Sequence, residues 1–243
     1  MQDKSRQSLR PLAANGALST LCLAVRSQAD PGPNPNLFAI RAGRGNVWVM
    51  TVLEAPKSAL PGPQIWPLGV KAYHALGELG LIPEKTELLY GQIYRKMPKS
   101  PYHRLLLMRL LELLQRIVPP GLHVQPEQPI QCGDSEPEPD LSVIRGSIDD
   151  YAAEHPRTAE LVIEICVSSH DYDRSKLRAY AEAGVKECWL VLGPEKQIEV
   201  HRRPQGGQFA ERAVHGPGGS LTSPTLPSFT VDLANLFHSP LEE

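Results

Sequence analysis

The 243-residue chain has no apolar run approaching the roughly 18 residues that would span a bilayer, which argues against a membrane protein. Its four cysteines, Cys22, Cys132, Cys166 and Cys188, never form a Cys-x-x-Cys pair. That spacing argues against a cysteine zinc site or a disulfide framework, and for a reducing compartment. No Gly-x-x-x-x-Gly-Lys loop, Gly-x-Gly-x-x-Gly turn, His-Glu-x-x-His helix or Gly-x-Ser-x-Gly elbow occurs, so nucleotide-cofactor folds, zinc proteases and serine hydrolases lack support. Aromatics make up 6% of the residues, and Trp66 and Trp189 read as surface or core anchors rather than base-stacking platforms. Neither charge sign dominates. The net charge is -2, with residues 1–49 at +4 and the remainder at -6, so any phosphate-binding surface has to be local.

What is present divides unevenly. Residues 1–66 are rich in Pro, Gly and Asn, as in "ADPGPNPN" and "APKSALPGPQIWP", and are expected to form a flexible extension. Lys4, Arg6 and Arg10 precede a weak apolar stretch in the manner of a signal peptide. Asn15 and Gly16 break that stretch and Arg26 sits near the would-be cleavage point, so a cytoplasmic location is expected. Met50 reads as a natural start, with residues 1–49 as an upstream extension of the coding frame.

A body spans 67–240. "LGVKAYHALGELGLI" has helical spacing, "TELLYGQIYRKM" a hairpin around Tyr90-Gly91, and "PYHRLLLMRLLELLQRIV" a long amphipathic helix with His103 outside its polar arc. "LHVQPEQPIQ" reads as an edge strand because of its prolines, and "DLSVIR", "ELVIEIC", "ECWLVL", "KQIEVHRR" and "GQFAERAV" as further strands. "DRSKLRAYAEAG" is a helix ended by Gly184, and "PSFTVDLANLF" closes with a short helix. The order predicts a mixed α/β domain around a central sheet.

Two carboxylates stand out in this frame. Asp140 immediately precedes one strand, and Glu164 lies inside the next apolar run, where desolvation costs several kcal/mol unless something compensates it. Neighbouring strands can bring both to one cavity, and hard oxygens so placed suit Mg²⁺. Lys176, on the following helix, can lean over such a site. An ion pair of Glu164 with Lys176 or Arg174 explains the same carboxylate equally well. Cys166 beside Ser168, Ser169 and His170 reads as a small packing residue rather than a nucleophile.

"EPEPDLSVI", "ELVIEICVSS", "YDRSKLRAYAEAGVKECWLV" and "QIEVHRR", in that order, resemble the Uma-two family, a group of restriction-endonuclease-like proteins of the PD-(D/E)xK nuclease superfamily. The resemblance runs from about residue 67 to 238. It implies an α/β, restriction-endonuclease-like mixed central sheet flanked by helices, with Mg²⁺-dependent hydrolysis of phosphodiester bonds in DNA, Mn²⁺ substituting. Asp140 matches the family's aspartate, Glu164 its strand glutamate, and Lys176 the lysine carried on the next helix. Cys166 holds the usual lysine position and is assigned with Asp140 and Glu164 to the metal set. His103 matches a histidine at the start of the long helix and joins the catalytic set, as does Gln92, which stands where the family commonly has a glutamate. The loop before Lys176 is one residue shorter than the family form.

Arg95, Lys96, Lys99 and Arg104 form the densest basic cluster of the body and are assigned to phosphate binding. Asp171 and Asp173 are expected to cap the helix that presents Lys176, with Arg174 neutralising them. DNA is the expected partner, with RNA as the other nucleic acid open to it, no membrane, and a homodimer as one possible assembly. The rival expectation is a catalytically weakened nucleic-acid-binding or protein-interaction module that keeps the fold, supported by Gln92 and the shortened loop.

Overall fold

The computed structural model describes residues 66–238 together with the backbone of two earlier strands, β1 (Leu37–Arg41) and β2 (Trp48–Val52). These two pair antiparallel, Leu37 opposite Val52 through Arg41 opposite Trp48. They belong to a unit, Met1–Gln64, separate from the unit Ile65–Glu243. The flexible extension expected over 1–66 and the start expected at Met50 otherwise fall outside the described residues, and the β1–β2 ladder was not anticipated there.

The second unit opens with α1 (Val70–Glu78) and the hairpin of β3 (Thr86–Leu89) and β4 (Gln92–Arg95). Tyr90 and Gly91 both take positive φ, 52° and 71°, the requirement of a two-residue turn that matches strand twist. Glycine is needed at 91 for a second reason: a Cβ there would lie 2.5 Å from that of Pro67. Helix α2 (Pro101–Ile117) starts where Ser100 Oγ accepts from the His103 N–H at 3.1 Å and proline occupies the first turn. Its buried stripe is His103, Leu106, Leu107, Leu110 and Leu114, the helical spacing seen in the sequence. Truncating fully buried Leu110 to Ala is therefore worth about 2–5 kcal/mol.

Six strands form the main sheet: β5 (Leu122–Pro126), β6 (Leu141–Arg145), β7 (Leu161–Cys166), β8 (Glu187–Leu192), β9 (Gln197–Gln205) and β10 (Gln208–His215). Their spatial order is β10-β9-β8-β7-β6-β5, which puts the proline-bearing β5 at an edge as expected. All neighbours are antiparallel except β7 and β8, which are parallel and joined through α3 (His170–Glu182). Two short strands missed by periodicity, β11 (Ser220–Thr222) and β12 (Thr230–Asp232), pair before the closing α4 (Leu233–Phe237).

The sheet has a core on each face. Leu161, Ile163 and Ile165 of β7 point to the layer holding α2 and α4, with Trp189 stacked on Phe229 at 5.1 Å between ring centroids. Val162 and Cys166 point the other way, toward Ala179 and Tyr180 of α3. By strand alternation Glu164 belongs to this second face, so the chain sends a carboxylate into the layer between sheet and α3. Among the described residues no helix is long and apolar enough to cross a membrane.

Candidate active site

Antiparallel register sets the first contact. Leu141 lies opposite Ile163, so Asp140 sits one step before β6 beside Glu164. The Asp140 carboxylate accepts three hydrogen bonds or charges from three elements. Oδ2 accepts from the Ile165 N–H at 2.7 Å and from His103 Nε2 at 3.1 Å, and Oδ1 accepts from Lys99 Nζ at 2.7 Å. Burial by itself raises the carboxyl pKa, but His103 and then Lys99 overcome it and hold Asp140 at about 2. Asp140 is therefore ionised at neutral pH. His103 Nδ1 is buried and has no hydrogen-bond partner among the described residues.

Glu164 is in the opposite condition. It is 2% exposed, its Oε1 accepts from the Tyr180 hydroxyl at 2.6 Å, and Lys176 Nζ stands 3.3 Å from the same oxygen. Burial pushes its pKa up to about 8; Lys176 pulls it down, and Asp140, Asp173 and Glu87 push it up again. The ion pair with Lys176 that the sequence left open does form, but Lys176 is shared. Its ammonium also lies 3.2 Å from Glu87 Oε1 and 3.9 Å from Asp173 Oδ1, and 5.1 Å from the centre of the Tyr172 ring. Burial lowers the lysine's pKa, yet Glu164, Glu87 and Asp173 together raise it above the ordinary value, so it stays charged. The two shifts differ in origin: burial is the main force raising Glu164, with the neighbouring carboxylates adding to it, whereas the carboxylates raise Lys176 against its burial.

These groups line a cavity of about 300 Å³ between α2, α3, the β3–β4 hairpin and the ends of β6 and β7. Asp140, Glu164, Lys176 and His103 are all in its wall, as are Arg95, Lys96 and Lys99. Lys96 is paired with Glu138, and Lys99 with Glu127 as well as Asp140. Three assigned residues are not brought to the cavity. Gln92 is exposed on the hairpin, where its amide oxygen accepts from the Tyr94 hydroxyl at 3.1 Å. Arg104 is exposed on α2, one residue past buried His103. Cys166 is fully buried against α3; its thiol pKa is driven up by burial and then by Asp173 and Glu164, and its carbonyl accepts from the Gly193 N–H at 3.0 Å. Enclosed by packing on its α3 side, Cys166 does not reach the cavity with Asp140 and Glu164.

The helix carrying Lys176 begins three residues earlier than "DRSK" suggested, with Ser169 at its N-cap. Asp173 thus falls inside α3, buried, accepting from Ser169 Oγ at 2.9 Å and facing the cavity rather than capping the helix. Burial raises its pKa despite Lys176. Arg174 pairs with Glu199 at 3.0 Å, not with the two aspartates. Glu87 and Asp173 are the cavity groups that sequence reasoning missed as such, and Tyr180, buried behind the cavity, is the missed partner of Glu164. Glu87 carried a usable signal, an acid beside the apolar "LLY" run, which is the argument applied to Glu164. Its Oε2 accepts from the Glu138 N–H at 3.1 Å, joining β3 to the segment leading into β6.

The donor set suits a hard divalent cation. Asp140 and Glu164 are adjacent carboxylates, Glu87 and Asp173 lie behind them, and the surplus of buried negative charge is what a dication would offset. Lys99, with its side chain 31% exposed, bridges Asp140 to Glu127 at the solvent side of the cavity.

No protein of curated function matches the chain. A crystal structure from Anabaena variabilis, described as "a putative nuclease belonging to DUF820", superposes with a TM-score of 0.57 at 22% identity, covering 67% of this chain and 96% of that one. At that identity it establishes the shared fold, the six-stranded mixed sheet flanked by helices. Residues 75–234 match the family described as "Putative restriction endonuclease", and over that span the chain belongs to the Uma2 family.

Proposed function

We propose that the chain is a Mg²⁺-dependent endonuclease that hydrolyses phosphodiester bonds in DNA. The observation that carries the reading is the buried charge imbalance: Glu87, Glu164 and Asp173 share one ammonium, beside an Asp140 held ionised. A fold stabilised for its own sake does not accumulate such groups, because each buried carboxylate without a full counter-charge is destabilising by several kcal/mol. Family membership gives the imbalance a chemical meaning.

Asp140 and Glu164 would hold the ion. Bound there, it would polarise a phosphoryl oxygen and favour hydroxide at neutral pH. His103 orients the Asp140 carboxylate through Nε2. Lys176, locked by its three carboxylates, is placed to stabilise charge that builds on phosphorus as the oxygen of water adds and the ester P–O bond breaks, giving a phosphate and a hydroxyl. Arg95, Lys96 and Lys99 at the cavity rim supply cations for neighbouring phosphates.

The test is conversion of supercoiled plasmid by the full chain with Mg²⁺, with Mn²⁺ and with chelator, beside Glu164→Ala purified in parallel. Metal-dependent nicking absent from the variant is expected. Identical traces from the two proteins would overturn the reading. One observation favours a second reading, a nucleic-acid-binding module: both Asp140 oxygens already have protein partners. Plasmid binding that needs neither divalent ion nor Glu164 would put that reading first.

A further inference from the structure

Away from the cavity, three side chains from distant stretches converge: His74 on α1, Glu136 in the segment leading to β6, and His155 in the loop after the 3-10 turn Ile148–Tyr151. One ligand atom from each lies within 4.8 Å of the others. His74 Nε2 is 2.7 Å from Glu136 Oε1, and the rings of His74 and His155 meet edge to face with centroids 6.3 Å apart. Glu136 is 4% exposed, whereas both imidazoles reach solvent. We propose that His74, Glu136 and His155 form a binding site for a zinc-class divalent transition ion, with water as the fourth ligand, distinct from the Asp140–Glu164 cavity.

The ligand types select the ion. Two imidazoles and one carboxylate are the borderline donors that Zn²⁺, Co²⁺ and Ni²⁺ prefer, whereas Mg²⁺ seeks an all-oxygen octahedron. Metal–ligand bonds of about 2.0–2.2 Å place tetrahedral ligand atoms roughly 3.4 Å apart. His74 and Glu136 are already closer than that, and His155, within 4.8 Å of both, has to close inward by at most about 1.4 Å. It can do so by turning its exposed side chain, because its backbone is anchored: Pro156 is buried and its carbonyl accepts from the Gln131 N–H at 2.8 Å. An open cavity lined by Tyr73, His74, Thr86 and His155 gives the ion a way in. The buried Glu136 supplies the driving force, since a half-exposed imidazole is a weak counter-charge for a desolvated carboxylate.

Such an ion would brace the nearby active-site wall. The Glu136 N–H donates to Leu88 O at 2.7 Å, the Glu138 N–H reaches Glu87, and Asp140 follows two residues later. The metal site itself does not depend on the nuclease reading.

The test uses full-length protein stripped with chelator and then titrated with Co²⁺, followed by Zn²⁺ competition against a chromophoric chelator. Visible absorption bands of tetrahedral Co²⁺ are expected in the native protein and in Glu164→Gln. They should be lost in His155→Ala and in His74→Gln, each with at least about tenfold weaker Zn²⁺ binding. Circular dichroism in chelator verifies that both histidine variants fold. No tetrahedral bands in the native protein, binding unchanged in both histidine variants, or loss confined to Glu164→Gln would each overturn the proposal.

Discussion

Replacing Glu164 by Gln separates a metal-holding carboxylate from one half of a structural ion pair. With its pKa raised from an ordinary 4.5 to about 8, the folded protein holds a proton on Glu164 that the unfolded chain has released. Stability contributed by such a group falls as pH rises from about 4.5 to about 8 and levels off above that. Each pKa unit is worth about 1.4 kcal/mol, so at pH 7 the metal-free native state is about 3 kcal/mol less stable than it would be with a permanently neutral group there. Gln is that group, and it keeps an oxygen for the Tyr180 hydroxyl. Glu164→Gln is therefore expected to raise the metal-free melting temperature at pH 7 by roughly 6–12 °C for a domain of this size. It should also flatten the decline between pH 5 and 8. Mg²⁺ should stabilise the native protein more at pH 8 than at pH 6 and leave the variant unmoved. Scanning calorimetry across that pH range, with and without Mg²⁺, measures all three. A variant less stable than the native protein at pH 7, with an unchanged pH slope, would refute the argument: Glu164 would then be ionised and satisfied by Lys176.

Four further outcomes are expected. Lys176→Ala removes the one ammonium among the buried acids Glu87, Glu164 and Asp173 and should lose about 3–5 kcal/mol by denaturant titration, partly recovered in Mg²⁺. Asp140→Asn should lose about 2 kcal/mol at neutral pH, because the stability of a carboxyl lowered to about 2 is present above its ordinary pKa of 3.8 and disappears as pH falls through 2; the difference from native protein should therefore vanish in acid melts. Gln92→Ala, outside the cavity, should leave stability within about 0.5 kcal/mol and plasmid cleavage unchanged, whereas Lys99→Ala should weaken plasmid binding and reduce its salt slope by about one.

The sequence made the second unit's sheet and long helices legible because their signals are local. Proline marked β5 as an edge, β-branched runs marked β6 and β7, and the leucine stripe marked α2 with His103 outside its polar arc. β11 and β12 were missed because three-residue strands are too short to show alternation. Of the residues that line the cavity, Asp140, Glu164, Lys176 and His103 were singled out in the sequence, since each is a chemical exception in its own element or matches a family position. Glu87 was passed over because all four residues of β3 are buried, so no in–out pattern isolates it. Asp173 looked like a cap because its sequence position fits one, and only the earlier helix start turns it inward.

The location of the lysine follows from the same geometry. Cys166, two residues after Glu164, shares its face of the sheet but is fully enclosed by the layer of Ala179, Tyr180 and Cys188. A long cationic side chain rooted there would have to cross apolar packing to reach the cavity. Asp173, Lys176 and Tyr180 lie three and four residues apart on α3 and therefore present one face. That face meets Glu164 from above, so one helix delivers the ammonium and hydroxyl at Glu164 Oε1 together with a further carboxylate. Moving the lysine from strand to helix keeps its charge beside Glu164 and releases position 166 to the core. It also brings in Asp173, whose negative charge adds to the imbalance. The helix that brings the glutamate its counter-charge therefore also brings a further negative charge beside it, and under the proposed function a divalent ion offsets that excess.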